Sequence, residues 1–168
     1  MRFLLIDRIV DLVPGERIVA VKAVAASEEY LADHFPSFAV LPGVLMLEAM
    51  TEAAGWLVRA SLDFPPLLTL LGSAKNITYK SFVRPGHLLE VTVECRRLDR
   101  EGSEFSGIGV CDGREAVKGR FSLSHVPLDS VTALGKAGQQ QMLLALRDRF
   151  AALCQGVLES LTARAGRA

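Results

Sequence analysis

Residues 42–60 read PGVLMLEAMTEAAGWLVRA, and this stretch decides the fold of the chain. Pro42 suits the first turn of a helix, where a backbone N–H would have no intrahelical acceptor. Apolar residues follow on nearly every side of the helix, and charge is confined to Glu48, Glu52 and Arg59. A helix that is apolar all round is one that other elements enclose. The sequence therefore predicts a central, buried helix.

Strand patterns lie on both sides of this helix in the sequence. Before it, residues 17–26 read RIVAVKAVAA, an alternating, β-branched run that predicts one early strand. After it, alternation resumes, and Leu89 and Val91 fall on one face of a strand. Asp112-Gly113 indicates a hairpin, because glycine accepts the positive φ of a primed turn. One helix with several antiparallel strands predicts an α+β fold, in which an antiparallel sheet surrounds the helix.

The C-terminal part of the chain has a different pattern. Residues 127–168 follow a domain predicted for residues 1–126, and they begin with a linker. Within residues 139–164, apolar side chains such as Leu146 and Phe150 recur three and four residues apart, which predicts an amphipathic helix. This helix either packs on its own domain or forms an interface with a partner or another subunit.

The composition excludes several classes of function. Lys and Arg together number 19, and so do Asp and Glu, so the net charge gives no attraction to nucleic acids or membranes. No apolar run approaches the length of about 18 residues that a membrane-spanning helix needs. The cysteines Cys95, Cys111 and Cys154 lack metal-ligand spacing and suit a reducing compartment. We therefore expect a cytoplasmic protein without a membrane span, a nucleic-acid partner or a bound metal.

Two polar side chains stand in the apolar stretch of residues 34–48, HFPSFAVLPGVLMLE. Taken alone, His34 and Glu48 are each more often structural than catalytic. Together they suggest chemistry, because burial on an enclosed helix should raise the pKa of Glu48, and histidine exchanges protons near neutral pH. An acid and a base in one apolar pocket can move protons on a small molecule.

Pro42 and Gly43 open the helix between these two side chains. The first N–H groups of a helix have no intrahelical acceptor, and glycine lets a ligand approach the backbone closely. Such donors suit an oxygen that gains negative charge, as the oxygen of a carbonyl does when a proton is removed next to it. The pattern thus indicates acid–base chemistry beside a carbonyl, and a plain helix start is the alternative interpretation.

Residues 34–55, HFPSFAVLPGVLMLEAMTEAAG, resemble the signature of the FabZ/FabA class, the β-hydroxyacyl-acyl carrier protein dehydratases. The FabZ pattern is H-F-P-x-x-P-x-x-P-G-V-L-x-x-E-A-x-A-Q. The similarity extends over about residues 3–124, including the stretches FVRPGHLL and DGREAVKGRFSL. Glutamate at position 48 resembles FabZ more closely than FabA, which has aspartate there.

The resemblance implies a hot-dog fold, in which a curved antiparallel sheet wraps a long central helix, followed here by the C-terminal helical extension. It also implies a homodimer or a trimer of dimers, with His34 of one subunit facing Glu48 of the other. The implied partner is an acyl carrier protein that carries a 3-hydroxyacyl thioester. Its docking residues would come from a basic rim, for which the candidates are Lys75, Lys80, Arg84, Arg96 and Arg97.

The resemblance further implies a role for each residue of the site. His34 would remove the α-proton of a (3R)-3-hydroxyacyl thioester, and Glu48 would protonate or orient the leaving hydroxyl. The Gly43 N–H would hold the thioester oxygen, and the Val40 carbonyl would bond the second ring nitrogen of His34. The product would be a trans-2-enoyl thioester, formed without a metal or redox cofactor.

The sequence departs from the family pattern at three positions, Ala39, His87 and Glu52. Ala39 replaces a proline, and His87 replaces the aspartate of the usual PGD turn. Glu52 replaces glutamine one helical turn after Glu48, so two carboxylates are neighbours. A protonated Glu52 could imitate glutamine by donating a hydrogen bond to Glu48, and Glu52 would then have a supporting role. Alternatively, this chain has changed its substrate or lost turnover.

Two other functions fit the same fold, because a fold alone does not decide function. The first is a hot-dog acyl thioesterase, in which Glu48 activates water. The second is a non-catalytic subunit that binds acyl chains or serves assembly.

Overall fold

A computed structural model describes residues 4–35, 37–131 and 135–155 of the chain. Its strands form one six-stranded sheet, and they are β1 Arg8–Val13, β2 Arg17–Ala23, β3 Leu67–Tyr79, β4 Leu88–Leu98, β5 Gly102–Cys111 and β6 Arg114–Pro127. The helices of the described part are α1 Tyr30–Asp33, α2 Gly43–Ser61, α3 Leu128–Val131 and α4 Lys136–Leu153. None of these helices combines the length and the apolar composition needed to cross a membrane.

The strands follow the order β1-β2-β4-β5-β6-β3, and every neighbouring pair is antiparallel. The helix α2 contacts five of them, β2 to β6. Leu89, Val91 and Val93 of β4 are completely buried, which confirms the face predicted from their alternation. Asp112 and Gly113 both have positive φ, at 50° and 72°, and confirm the predicted hairpin between β5 and β6. The α+β fold, with an antiparallel sheet around one helix, is therefore as the sequence predicted.

The central helix spans Gly43–Ser61, one residue later at each end than the predicted 42–60. Its second half is enclosed, and Ala53 and Val58 have no exposed surface. Its first half is not, because Val44 is 68% exposed and Glu48 is also exposed. The prediction of a buried helix thus holds for the second half, while the first half leaves one side open at the surface.

Three elements, β1, α1 and α3, were missed by sequence reasoning. Two early strands are present where one was predicted, and β1 escaped notice because a bulge between Ile9 and Asp11 interrupts its alternation. The helix α1 is only four residues long and too short to show a period. The predicted linker is also partly wrong, because it contains the short helix α3, anchored by the fully buried Leu128.

The C-terminal helix α4 starts three residues before the predicted position 139, and the predicted end at 164 lies outside the described residues. Leu146 and Phe150 pack against the core, and Leu153 is 6% exposed. The helix therefore packs on its own domain, in agreement with the first of the two interpretations. The domain boundary at residue 126 stays a prediction.

Candidate active site

His34 follows α1 directly and is half-buried. Its backbone is extended, and the next residue, Phe35, has a φ of 52°. Because a bulky side chain rarely adopts positive φ, surrounding contacts must hold this turn in place. The two rings lie 4.4 Å apart, so the Phe35 ring covers one side of the imidazole.

The loop from His34 to α2 is anchored on the segment that precedes β4. The Leu41 N–H donates a hydrogen bond of 2.8 Å to the Val83 carbonyl. The rings of Phe38 and Phe82 meet edge to face at 5.5 Å, and the Arg84 guanidinium lies 4.5 Å from the centre of the Phe38 ring. These contacts hold the loop in place near Ala39, where the family pattern has a proline.

The start of α2 presents a free backbone donor. Within the described residues the Gly43 N–H has no hydrogen-bond acceptor, whereas the Leu45 and Met46 N–H groups bond to the Pro42 carbonyl at 2.9 and 3.3 Å. A Cβ atom at Gly43 would lie 3.1 Å from a ring carbon of Tyr79, so the strand β3 lies directly against this turn. Sequence reasoning missed Tyr79, because only the fold brings β3 to the helix start.

Glu48 lies on the open side of α2, and its carboxyl reaches the surface of the single chain. Partial desolvation by its apolar surroundings raises the pKa of Glu48, and the charge of Glu52 raises it further. The direction agrees with the prediction from the sequence. A carboxyl that keeps its proton to higher pH is suited to act as an acid.

Glu52 has other partners than the sequence suggested. One of its oxygens accepts a hydrogen bond of 2.8 Å from the Leu5 N–H, and the other lies 3.3 Å from a guanidinium nitrogen of Arg149 in α4. The Glu52 carboxylate is thus an acceptor and an ion-pair partner, and the predicted bond from a protonated Glu52 to Glu48 is absent among the described residues. No sequence signal identified Arg149, which is 97 residues away.

Comparison with known proteins places the chain in a family. The model of the FabA-like domain matches residues 1–121. The chain belongs to the FabA-like domain family. Similar curated proteins include "3-hydroxyacyl-[acyl-carrier-protein] dehydratase FabZ" of Granulibacter bethesdensis, 37% identical over 71% of this chain and 72% of that protein. The protein of the same name from Ruminiclostridium cellulolyticum is 38% identical over 73% of this chain and 86% of its own length.

Solved structures show that the FabA-like chain has the hot-dog fold. The dehydratase heterocomplex ApeI:P from Xenorhabdus doucetiae superimposes with a TM-score of 0.61 at 18% identity, over 83% of this chain and 89% of that chain. A mutant of the fluoroacetyl-CoA-specific thioesterase FlK superimposes with a TM-score of 0.56 at 21% identity, over 71% of this chain and 92% of that chain. Since one is a dehydratase and the other a thioesterase, these likenesses concern the fold alone.

The resemblance to the dehydratases also drew attention to Val40 and His87. The described residues contain no hydrogen bond between the His34 ring and the Val40 carbonyl, so that supporting role stays a prediction. His87 lies in a turn, where its N–H bonds to the Arg84 carbonyl at 3.2 Å, and its ring pairs with Asp112 at 2.7 Å. Its ring, the Asp112 carboxylate and the thiol of Cys111 lie within 4.8 Å of one another and could together hold a metal ion. The imidazole and the carboxylate already satisfy each other, and none of these residues belongs to the candidate site.

Two features that would serve binding, a cavity for the acyl chain and basic side chains for the carrier protein, are only partly present around the site in the described part of the single chain. A cavity of about 1000 Å³ lies on strands β3 to β6, and His34, Gly43 and Glu48 do not line it. Three of the five basic candidates for carrier docking already have acidic partners: Lys80–Glu115 at 2.8 Å, Arg96–Glu94 at 2.8 Å and Arg97–Asp99 at 3.0 Å.

Proposed function

We propose that this protein is a 3-hydroxyacyl-acyl carrier protein dehydratase, a hydro-lyase that forms a trans-2-enoyl thioester in fatty acid or related acyl-chain biosynthesis. Membership of the FabA-like family and identities of 37% and 38% to proteins named FabZ support it. The observation that carries the proposal is Glu48, an accessible carboxyl with a raised pKa on the same helix as the free Gly43 N–H.

The reaction needs three groups, and we propose one residue for each. His34 takes the proton from C2 of the acyl chain, and the Gly43 N–H stabilises the charge that develops on the thioester oxygen. Glu48 gives its proton to the C3 hydroxyl, so the C3–O bond breaks, water leaves and a C2–C3 double bond forms.

We propose a homodimer built on the edge strand β3, and its further assembly into a trimer of dimers is an alternative. The strand is 13 residues long, ends the sheet, and exposes Leu70, Leu71 and Tyr79 by 41–48%. A long apolar edge of this kind invites pairing with another strand. Pairing of two β3 strands around a two-fold axis would bring a second subunit to the open side of α2, beside Val44 and Glu48. His34 of the second subunit would then complete the site.

The substrate carrier and the location are also proposals. The acyl chain would be delivered by an acyl carrier protein, as the names of the relatives state for those proteins. A cytoplasmic location is supported by the cysteines Cys95, Cys111 and Cys154, which are free thiols in the structure, as expected in a reducing compartment.

The decisive experiment is an assay with a series of 3-hydroxyacyl-acyl carrier proteins of different chain length. Enoyl absorbance reports dehydration, and free thiol reports thioester hydrolysis. We expect enoyl product, and we expect His34→Ala and Glu48→Gln each to lose about 10²- to 10⁴-fold in rate, the usual contribution of a general acid or base. Free thiol without enoyl product would instead identify a thioesterase, and carrier binding without either product would identify a non-catalytic subunit.

The shared site can be tested by mixing the two inactive variants. If His34 and Glu48 come from different subunits, a mixed dimer has one site with both residues intact and one site with neither. Random reassociation makes half of the dimers mixed, so activity should return to about a quarter of the wild-type value. If each subunit contains a complete site, mixing restores no activity, and the proposed arrangement is wrong.

A further inference from the structure

The C-terminal helix α4 contacts the second half of α2 and the segment that follows it through aromatic side chains. The ring of Phe150 lies 6.0 Å from that of Trp56 and 5.3 Å from that of Phe64. Leu153 and Cys154 close the contact and are 6% and 2% exposed. Burial of this apolar surface holds the helix in one place, so the charged residues of α4 have defined neighbours.

One of these charged residues reaches the catalytic helix at position 52. The Arg149 guanidinium lies 3.3 Å from Glu52, and the side chains of the pair are 33% and 20% exposed. The other oxygen of Glu52 accepts the Leu5 N–H at 2.8 Å. A single carboxylate therefore joins the N-terminal segment, the central helix and α4.

The contact between Glu52 and Arg149 links two features of this chain that lie outside the family pattern. The family pattern has an uncharged glutamine at position 52, and the match to the FabA-like family ends at residue 121, before α4 begins. A carboxylate at this half-buried position needs a partner that an amide does not need. The C-terminal extension supplies that partner as Arg149.

On this side Glu52 acts on the acid Glu48, and two cations, Arg59 and Arg149, act on Glu52. Glu52, on the same helix, raises the pKa of Glu48. Burial lowers the pKa of Arg59, and the charge of Glu52 opposes that change, so Arg59 is a second cation within the influence of Glu52. Arg149 pairs with Glu52 from α4. In the proposed dimer, His34 would face Glu48 from the other subunit.

We propose that Arg149 is a positioning residue of the active site, which holds the Glu52 carboxylate away from Glu48. The helix α4 is then part of the functional unit, because its docking keeps two neighbouring carboxylates from interacting freely. This inference rests on the proposed dehydratase function.

The test compares the full-length variants Arg149→Gln and Arg147→Gln. Arg147 is a matched control two residues away on α4, where it pairs with Asp63 at 3.0 Å and lies 4.6 Å from the ring centre of Phe64. The readout is kcat against pH with a 3-hydroxyacyl-acyl carrier protein. Since Glu48 must be protonated to act, kcat falls as pH rises through its pKa, and this fall is the alkaline limb of the profile.

We expect Arg149→Gln to move the alkaline limb to higher pH, because the charge of Glu52 then acts on Glu48 without a partner. Glu52→Gln should move it to lower pH, and the double variant should match Glu52→Gln. Arg147→Gln should leave the limb in place. An unchanged limb in Arg149→Gln, or an equal shift in both arginine variants, would overturn the proposal.

A second measurement does not depend on turnover. Thermal unfolding of the wild type, Glu52→Gln, Arg149→Gln and the double variant forms a double-mutant cycle. We expect the pair to couple by a factor of about two to five in the unfolding equilibrium constant, the range for partly exposed ion pairs. Absence of coupling would show that the pair has no energetic role, even in an active enzyme. A wild-type protein that forms no enoyl product would refute the dehydratase function and leave this cycle as a separate result.

Discussion

Substitution of Gly43 by alanine tests whether the start of α2 receives the thioester oxygen. The added Cβ would lie 3.1, 3.2 and 3.4 Å from three ring carbons of Tyr79. Ordinary carbon–carbon contacts are about 3.5–4.0 Å, so the ring or the helix start must move by several tenths of an ångström. Because Tyr79 is 47% exposed in the single chain, its ring can move aside there. We therefore expect the cost in stability at the low end of overpacking, about 1 kcal/mol. The preference of alanine over glycine, about 0.5–1 kcal/mol in the middle of a helix and smaller at this first helical position, offsets part of it.

The effect on catalysis should be much larger than the effect on stability. The new methyl group lies beside the Gly43 N–H and hinders close approach of the thioester oxygen, and a misplacement of the substrate by about 1 Å can cost about 10²-fold in rate. We expect kcat/KM to fall by about 10- to 100-fold while the melting temperature changes little. Circular dichroism melts and the enoyl assay measure the two quantities. The single variant Tyr79→Leu and the double variant separate ring crowding from lost access to the N–H. An unchanged kcat/KM in Gly43→Ala would refute the assigned donor.

Three further predictions concern stability. Glu48→Gln should be more stable than the wild type at neutral pH, because the raised pKa of Glu48 means that folding disfavours its charged form. Below the ordinary glutamate pKa of about 4.3 the carboxyl is protonated in both states, so thermal melts there should show no gain in stability. Gly113→Ala should destabilise by about 1 kcal/mol in urea titrations, because alanine resists the φ of 72° at this turn; no loss would contradict the turn geometry. Lys22 is 4% exposed and pairs with Glu28 at 2.7 Å and with Asp7 at 3.6 Å. Glu28→Ala leaves the buried ammonium with only the more distant Asp7 carboxylate, so chemical denaturation should show a loss of about 1–3 kcal/mol, and a smaller loss for Lys22→Met, which removes the buried charge itself. The reverse order would contradict this account.

The parts of the fold that could be predicted from the sequence are those with a local, uninterrupted pattern. The helix α2 is apolar on nearly every side, and β4 alternates strictly through Leu89, Val91 and Val93, so each element carries its own signal. The strand β1 was missed because its bulge breaks the period of two between Ile9 and Asp11. A period is visible only when several repeats are in register, which also explains why the four-residue helix α1 gave no signal.

The residues of the candidate site also differ in whether a local sequence pattern or only the folded structure brings them together. His34, Gly43 and Glu48 occur within one stretch of 15 residues, where spacing and residue type can be assessed together. The partner of Glu52 could not be found in this way, because Arg149 is 97 residues distant and the two meet only when α4 docks. Sequence reasoning therefore identified Glu52 as the neighbour of Glu48 but assigned it a hydrogen bond to Glu48, whereas the structure pairs Glu52 with the Leu5 N–H and Arg149.

The exposure of the first half of α2 gives a physical reason for placing the site between subunits. A carboxyl inside a closed single-chain core would have to lose its water when the chain folds, which is costly for a charged group. Here Glu48 folds at the surface, with only part of its solvation removed. In the proposed dimer, the remaining water is excluded when the second subunit arrives, and that subunit brings His34 as the partner. Burial of the apolar β3 edge, including Leu70 and Leu71, occurs in the same step and offsets the free-energy cost of desolvating Glu48.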